Sequence, residues 1–320
     1  MRPTLPCLIL VLLAVRAPGA GETVTPEETR ASFTPTRAVV TGLVEGATEF
    51  LPVSSTGHLI ISDAVMGVPA NREVLVAGVA DRKGRPVSLE RVADDYLVIV
   101  QIGAIFAVVA GFFSRFRNPS PRGILATLVA FLPVAVVGLV AKDWINEYLF
   151  SPAVVGVMLF VGGFAMLWAD RRWPREASPG FDELEVITLP QALRIGIFQC
   201  VSLIPGTSRS MSMLIGGRAC GLSHAAAAEF SFLVGFVTLT AASLYKAWRL
   251  GPALTQVYPA GPALLGLAIA FVVAFASVRW LVGHLQRQGF VVFAWYRIAL
   301  GGAMLLYMAS GWLVQAVRSC

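Results

Sequence analysis

Long apolar runs broken by short polar connections set the pattern of this chain. Six runs, near 95–113, 122–141, 152–169, 225–247, 260–282 and 291–315, each approach the ~20 residues a helix needs to cross a ~30 Å hydrocarbon layer. Aromatic and basic residues stand at several ends, such as Phe113-Ser114-Arg115 and Trp168 with Arg171 and Arg172. That is the chemistry of a membrane–water boundary. The pattern predicts an all-α integral membrane protein with six transmembrane helices.

Two further apolar stretches, about 36–66 and 189–218, do not read as spans, because Pro, Gly, Ser and charged residues interrupt both midway. A straight span would leave those groups in lipid at severe cost. Two short helices joined by a polar turn, entering and leaving on one side, avoid that cost when the turn is buried in protein. The stretches also resemble each other. Each has a glycine, then Glu45 or Gln199 three residues on, then a proline, then a hydroxyl cluster ending in His58 or in Arg209-Ser210. The expected architecture is a hairpin plus three spans, twice. Three crossings are odd, so the second copy is inverted, a recurring design for polar sites in membranes. Residues 36–320 then form one membrane domain, with repeat one at 36–169 and repeat two at 189–315.

Composition agrees with burial in lipid. Of the 320 residues, 56% are hydrophobic and only 14% charged, too few charges to cover a soluble surface. The formal charge of +6 is loop charge that orients the chain rather than a nucleic-acid footprint. Outside the acid-rich insertion at 69–95, basic residues lean to the side opposite the termini, which places both termini outside. The start of the chain leans the same way. Arg2, the apolar run from Leu8 to Val15 and Ala17-Pro18-Gly19-Ala20 resemble a signal peptide over 1–20. An uncleaved interfacial or first-span helix is the alternative. The four cysteines make no metal or disulfide pattern.

The interrupted stretches hold the chemistry. Glu45 and Glu49 are four apart, so a helix puts both carboxylates on one face. Paired carboxylates suit Mg²⁺ or Ca²⁺, which take oxygen ligands. The alternative is an acidic face that merely lines water. After Pro52, the residues Ser54, Ser55 and Thr56 offer an N-cap to a return helix, whose free N–H groups suit phosphate. His58 beside them fits proton transfer, or else a satisfied structural hydrogen bond. In the second stretch Pro205-Gly206 makes a turn and Ser208-Arg209-Ser210 opens a helix. Arg209 has a planar fork matched to phosphate oxygens, or it pairs with Glu45 or Glu49. Gln101, Glu229 and Arg297 lie in apolar spans, where they line a pocket or brace helices.

Residues Gly42 to Ile61, with E-G-x-x-E-F-L-P-V-S-S-T-G-H at their core, closely resemble the first signature of the undecaprenyl-diphosphate phosphatases, the bacitracin-resistance family. Pro205 to Ser210 resembles the second, P-G-x-S-R-S-x-x-T, although Met213 stands where that pattern has Thr, with Ser212 adjacent. The resemblance runs from about residue 36 to the C-terminus. It implies six spans plus two re-entrant hairpins, and hydrolysis of undecaprenyl diphosphate to undecaprenyl phosphate and phosphate, which recycles the carrier for peptidoglycan synthesis. It also implies a bacterial inner-membrane location with the site facing the periplasmic side. In that reading Glu45, Glu49, Ser55, His58 and Arg209 are catalytic. Ser54, Thr56, Gln199, Gly206, Ser208 and Ser210 bind substrate, Glu45 and Glu49 hold a divalent cation, and either Ser55 or water attacks. A polyprenyl-phosphate transporter built on the same inverted repeat is the rival. The S-R-x5-H spacing of type 2 phosphatidic-acid phosphatases would need histidine where this chain has Ile215.

Overall fold

The computed structural model describes residues 23–68, 74–173 and 187–318, so the signal-like segment at 1–20 lies outside the described residues. Among these residues, six helices are long and apolar enough to cross a membrane. In chain order the helices are α1 (Pro26–Ala31), α2 (Pro35–Thr48), α3 (Ser55–Val65), α4 (Leu89–Gly111), α5 (Phe113–Arg117), α6 (Pro121–Trp144) and α7 (Pro152–Arg172). They continue with α8 (Leu189–Cys200), α9 (Arg209–Ala219), α10 (His224–Leu250), α11 (Ala253–Val257), α12 (Ala260–Gln288) and α13 (Val291–Arg318). The spans are α4, α6, α7, α10, α12 and α13. Their outer faces carry large exposed apolar side chains, among them Leu132, Leu139, Val140, Val272 and Leu306. Only lipid makes such faces stable, and the chain is a multi-pass membrane protein.

Besides the spans there are two helical hairpins, α2–α3 before the first span and α8–α9 between the third and fourth. Their helices have 14, 11, 12 and 11 residues. At 1.5 Å per residue none exceeds about 21 Å, well short of a bilayer core. Serine, threonine and proline start these elements. Thr34 caps α2, and Thr188 with Gln191 forms a capping box on α8.

Packing is exchanged between the halves. Helix α2 of the first hairpin lies along α12, and α8 of the second lies along α6. Glycines permit both approaches. A Cβ on Gly42 would stand 2.6 Å from the Gly266 carbonyl oxygen, and one on Gly196 would stand 2.3 Å from that of Ala130. The last spans of the two halves, α7 and α13, pack on each other. There Gly163 and Gly301 allow backbone-close contact, as is usual between helices in lipid. The central core includes Phe50, Val53, Met166, Met211 and Phe232, and surrounds the two hairpin turns.

Residues 74–95 are not a plain loop. Strand β2 (Leu75–Ala80) pairs antiparallel with β3 (Pro86–Ser88) and parallel with β1 (Thr23–Val24). This sheet covers a second apolar cluster that includes Phe33, Val76, Val87, Tyr96 and Tyr258. Ser88 caps α4 by accepting from the Arg91 N–H, so the span starts at Leu89 rather than near residue 95. Leu89, Val92 and Ala93 are buried in these first turns. At the β2–β3 turn, Asp81 receives the N–H groups of Lys83 and Arg85 and the guanidinium groups of Arg85 and Arg91. Burial alone would raise its carboxyl group. The four donors outweigh that and hold it well below the usual carboxylate range.

Candidate functional site

Both hairpins turn through a serine in the left-handed region. Ser54 has φ 73° and Ser208 φ 76°, and no other described non-glycine residue has a positive φ. That conformation is strained for an L-residue and persists where the surroundings enforce it, often at functional sites. Each serine stands immediately before its return helix, at the N-cap. Aligned on these serines, Glu45 matches Gln199, Pro52 matches Gly206, Ser55 matches Arg209 and Thr56 matches Ser210.

The two turns meet. The Ser55 hydroxyl donates to Glu49 Oε2 at 2.6 Å, and Arg209 Nη2 donates to Glu49 Oε1 at 3.3 Å. One buried carboxylate thus joins a hydroxyl of the first hairpin to a guanidinium of the second. Arg209 Nη1 donates to the Ser231 carbonyl of α10 at 2.9 Å, and its guanidinium carbon lies 5.4 Å from the Phe50 ring centroid. Gly235 makes room for it, since a Cβ there would come 2.0 Å from Nη1. Ser210 Oγ donates to the Leu51 carbonyl at 2.8 Å, a second bond between the hairpins. That leaves Ser208 O–H to donate to Ser210 Oγ at 3.0 Å while its oxygen caps the Met211 N–H.

Glu45 is also buried, one turn before Glu49, and its Oε1 has no protein partner. Gln101 of α4 reaches the Glu45 carboxyl group. Gln199, fully buried at the matching place in the second hairpin, donates to Thr238 at 3.0 Å and leaves its own carbonyl oxygen unpaired. The Glu45 and Glu49 carboxylates and the Ser55 hydroxyl are the oxygens here that could be offered to a hard divalent cation. Among the described residues no cluster of three His, Cys, Asp or Glu forms here. Such a cation would therefore complete its shell with water and phosphate oxygens.

His58 faces elsewhere. Its Nδ1 lies 2.7 Å from the Ser54 carbonyl, which can only accept, so this nitrogen carries a hydrogen. In the neutral ring Nε2 then accepts from the Tyr296 hydroxyl at 2.6 Å. Both nitrogens are engaged, and neither with Ser55 or Glu49. Among the described residues, no bond between the hairpins involves Thr56, which lies half-buried in the first turn of α3. Gly206, with φ 90°, presents its carbonyl to Arg297 at 3.0 Å. Ser212 bonds back to the Ser208 carbonyl at 3.1 Å, so its hydroxyl is spent on its own helix rather than replacing the threonine that Met213 displaces. His224 is buried, with its ring centroid 4.6 Å from that of Phe290.

A family model described as bacitracin resistance protein BacA matches residues 38–303. The chain belongs to this family. A protein of Polaromonas sp. (strain JS666) named undecaprenyl-diphosphatase is 37% identical over 285 residues, covering 86% of this chain and 95% of the relative. One of Sorangium cellulosum with the same name is 41% identical over 280 residues, 84% of each chain. Undecaprenyl-diphosphatase 2 of Rhodospirillum rubrum is 39% identical over 285 residues, covering 86% of this chain and 94% of the relative. In this BacA-family chain the two signature stretches meet through Ser55, Glu49, Arg209 and Ser210. Sequence reasoning did not place Tyr296 and Ser231 at the site. Arg297 was visible only as a charge in an apolar span, a signal that marks a site without naming its partners.

Proposed function

We propose that the chain hydrolyses undecaprenyl diphosphate to undecaprenyl phosphate and inorganic phosphate, and so returns the lipid carrier to cell-wall synthesis. The observation that carries this reading is the Ser55–Glu49–Arg209 chain of hydrogen bonds across the two hairpins. It is supported by the names of relatives that match most of the chain. A flipping transporter needs a phosphate-binding cleft but not a hydroxyl held on a buried carboxylate.

Glu49 Oε2 takes the proton of Ser55 as its Oγ attacks the terminal phosphorus. The anhydride P–O bond breaks, and undecaprenyl phosphate leaves as an oxyanion. That oxyanion takes up the proton from Glu49, and the freed carboxylate deprotonates the water that attacks phosphorus; the P–O bond to Ser55 breaks, Glu49 returns the proton to Ser55 Oγ, and phosphate leaves. Arg209 faces the equatorial phosphate oxygens, where fixed positive charge lowers the barrier. The return-helix N–H groups after Ser54 and Ser208 add further donors. His58 holds the Ser54 turn and links it to the exposed Tyr296. Glu45 and Glu49 would hold Mg²⁺ or Ca²⁺, which when bound neutralises diphosphate charge. The hairpins enter the bacterial inner membrane from opposite faces, and the site opens to the periplasmic side.

Phosphate release from undecaprenyl diphosphate by purified protein tests the activity; a protein that binds the lipid without turnover would favour the transporter. A single cysteine at Ser55, labelled by an impermeant thiol reagent in intact spheroplasts and protected by substrate, tests the sidedness. Labelling only in inverted vesicles would reverse it.

A further inference from the structure

The fully buried guanidinium of Arg297, about two turns into the last span, is not used by the reaction described above. Its Nη1 donates to the Pro52 carbonyl at 3.2 Å, and its Nη2 to the carbonyls of Gly206 at 3.0 Å and Met158 at 2.9 Å. Pro52 and Gly206 are equivalent positions, each two residues before the left-handed serine of its hairpin. One side chain therefore ties the same atom of both turns and fastens them to α7. The neighbouring Tyr296 holds the first turn a second time, through His58.

The surroundings are shaped for this group. Gly162 stands opposite, and a Cβ there would come 2.3 Å from Nη2. No carboxylate among the described residues faces Arg297, so carbonyl dipoles alone balance its charge. An uncompensated buried cation is costly in a protein core. The charge that the carbonyls leave unbalanced favours an anion beside the turns it holds.

We infer that Arg297 is a positioning residue. It clamps the two turns in the register that lets Ser55 and Arg209 face one phosphoryl group, and its charge favours the anionic substrate above them. The inference rests on the hydrolytic reading for its anion. The geometric clamp stands without it. Lysine cannot reproduce the clamp, because one ammonium on a flexible stem does not hold three carbonyls in a plane.

The test uses the purified full-length protein and its Arg297→Lys, Arg297→Gln and Gly162→Ala variants, assayed for phosphate release and for amide hydrogen exchange. Arg297→Lys should lose on the order of 10²-fold in kcat, as expected for a slight misplacement of reacting groups, with KM changed less than about threefold. Arg297→Gln, without the charge, should also raise KM. Exchange should rise at residues 50–56 and 204–209 together and stay at the wild-type level in α12. Gly162→Ala, which displaces the guanidinium while keeping it, should repeat the kcat loss and carries the test should the Arg297 variants fail to fold. Wild-type kcat with wild-type exchange at both turns overturns the clamp. So does an activity loss that matches the unfolded fraction. Wild-type protein that releases no phosphate strikes the hydrolytic reading instead, and the exchange data still decide the clamp.

Discussion

The two hairpins share a backbone and differ in their chemistry. Both bend at a left-handed serine, both bury a polar residue nine positions earlier, and both offer the equivalent carbonyl to Arg297. Yet the first is acidic, with Glu45, Glu49 and the Ser55 hydroxyl, where the second has Gln199, Leu203 and Arg209. On the proposed reading, the first of these matched turns is the proton-accepting half and the second the cationic half. A symmetric pair could not do this. Two acidic turns would repel a diphosphate, and two basic ones would bind it with no base to deprotonate the attacking hydroxyl.

Chelation should produce the largest effect, because it acts on the acidic hairpin alone. Turnover should vanish in excess chelator and return with Mg²⁺ or Ca²⁺. Full activity after extensive washing in chelator would reassign Glu45 and Glu49 to purely acid–base work. Glu49→Gln comes next. It keeps the size of the link but removes the base, and kcat should fall about 10³-fold, read by single-turnover phosphate release. Arg209→Lys keeps the charge of the second hairpin and loses the fork. Its rate should drop on the order of 10²-fold, equivalent to about 3 kcal/mol of transition-state stabilisation. A lysine variant near the wild-type rate would reduce the second hairpin to a distant positive charge.

The smallest effect concerns what separates the halves beyond the hairpins. The first hairpin connects to its span through the β-sheet cap, the second through the short Cys220–Ser223 turn. Asp81 fixes the cap. Its carboxyl group is held low in the folded protein, so its contribution is present at neutral pH and is lost as pH falls below the ordinary carboxylate range. Asp81→Asn should lower the melting temperature at pH 7 and narrow the gap to wild type in acid, with kcat unchanged. A loss of kcat in this variant would give the cap a part in catalysis.

The spans were legible because runs of twenty apolar residues have few other solutions. The hairpins were legible because proline, glycine and paired acids cannot lie exposed in lipid. The cap was not. Its strand Leu75–Ala80 is too short to separate from a loop by pattern, and Glu90, Asp94 and Asp95 dilute the start of α4 although Leu89 and Val92 are buried there. At the site, Glu45, Glu49, Ser55 and Arg209 stood out as polar groups in apolar surroundings. The partners of His58 and Arg297 did not. Tyr296 lies 238 residues from His58, and Pro52 lies 245 from Arg297, so only the fold reveals those bonds.

The central claim is that the two hairpins form one catalytic unit joined through Glu49. A double-mutant cycle on Ser55→Ala and Arg209→Lys, read as single-turnover phosphate release from undecaprenyl diphosphate, tests it most directly. The account predicts that wild type releases phosphate and that the double variant is little slower than the slower single variant, since either change breaks the same unit. Losses that multiply independently, or wild-type protein that releases no phosphate, would contradict it.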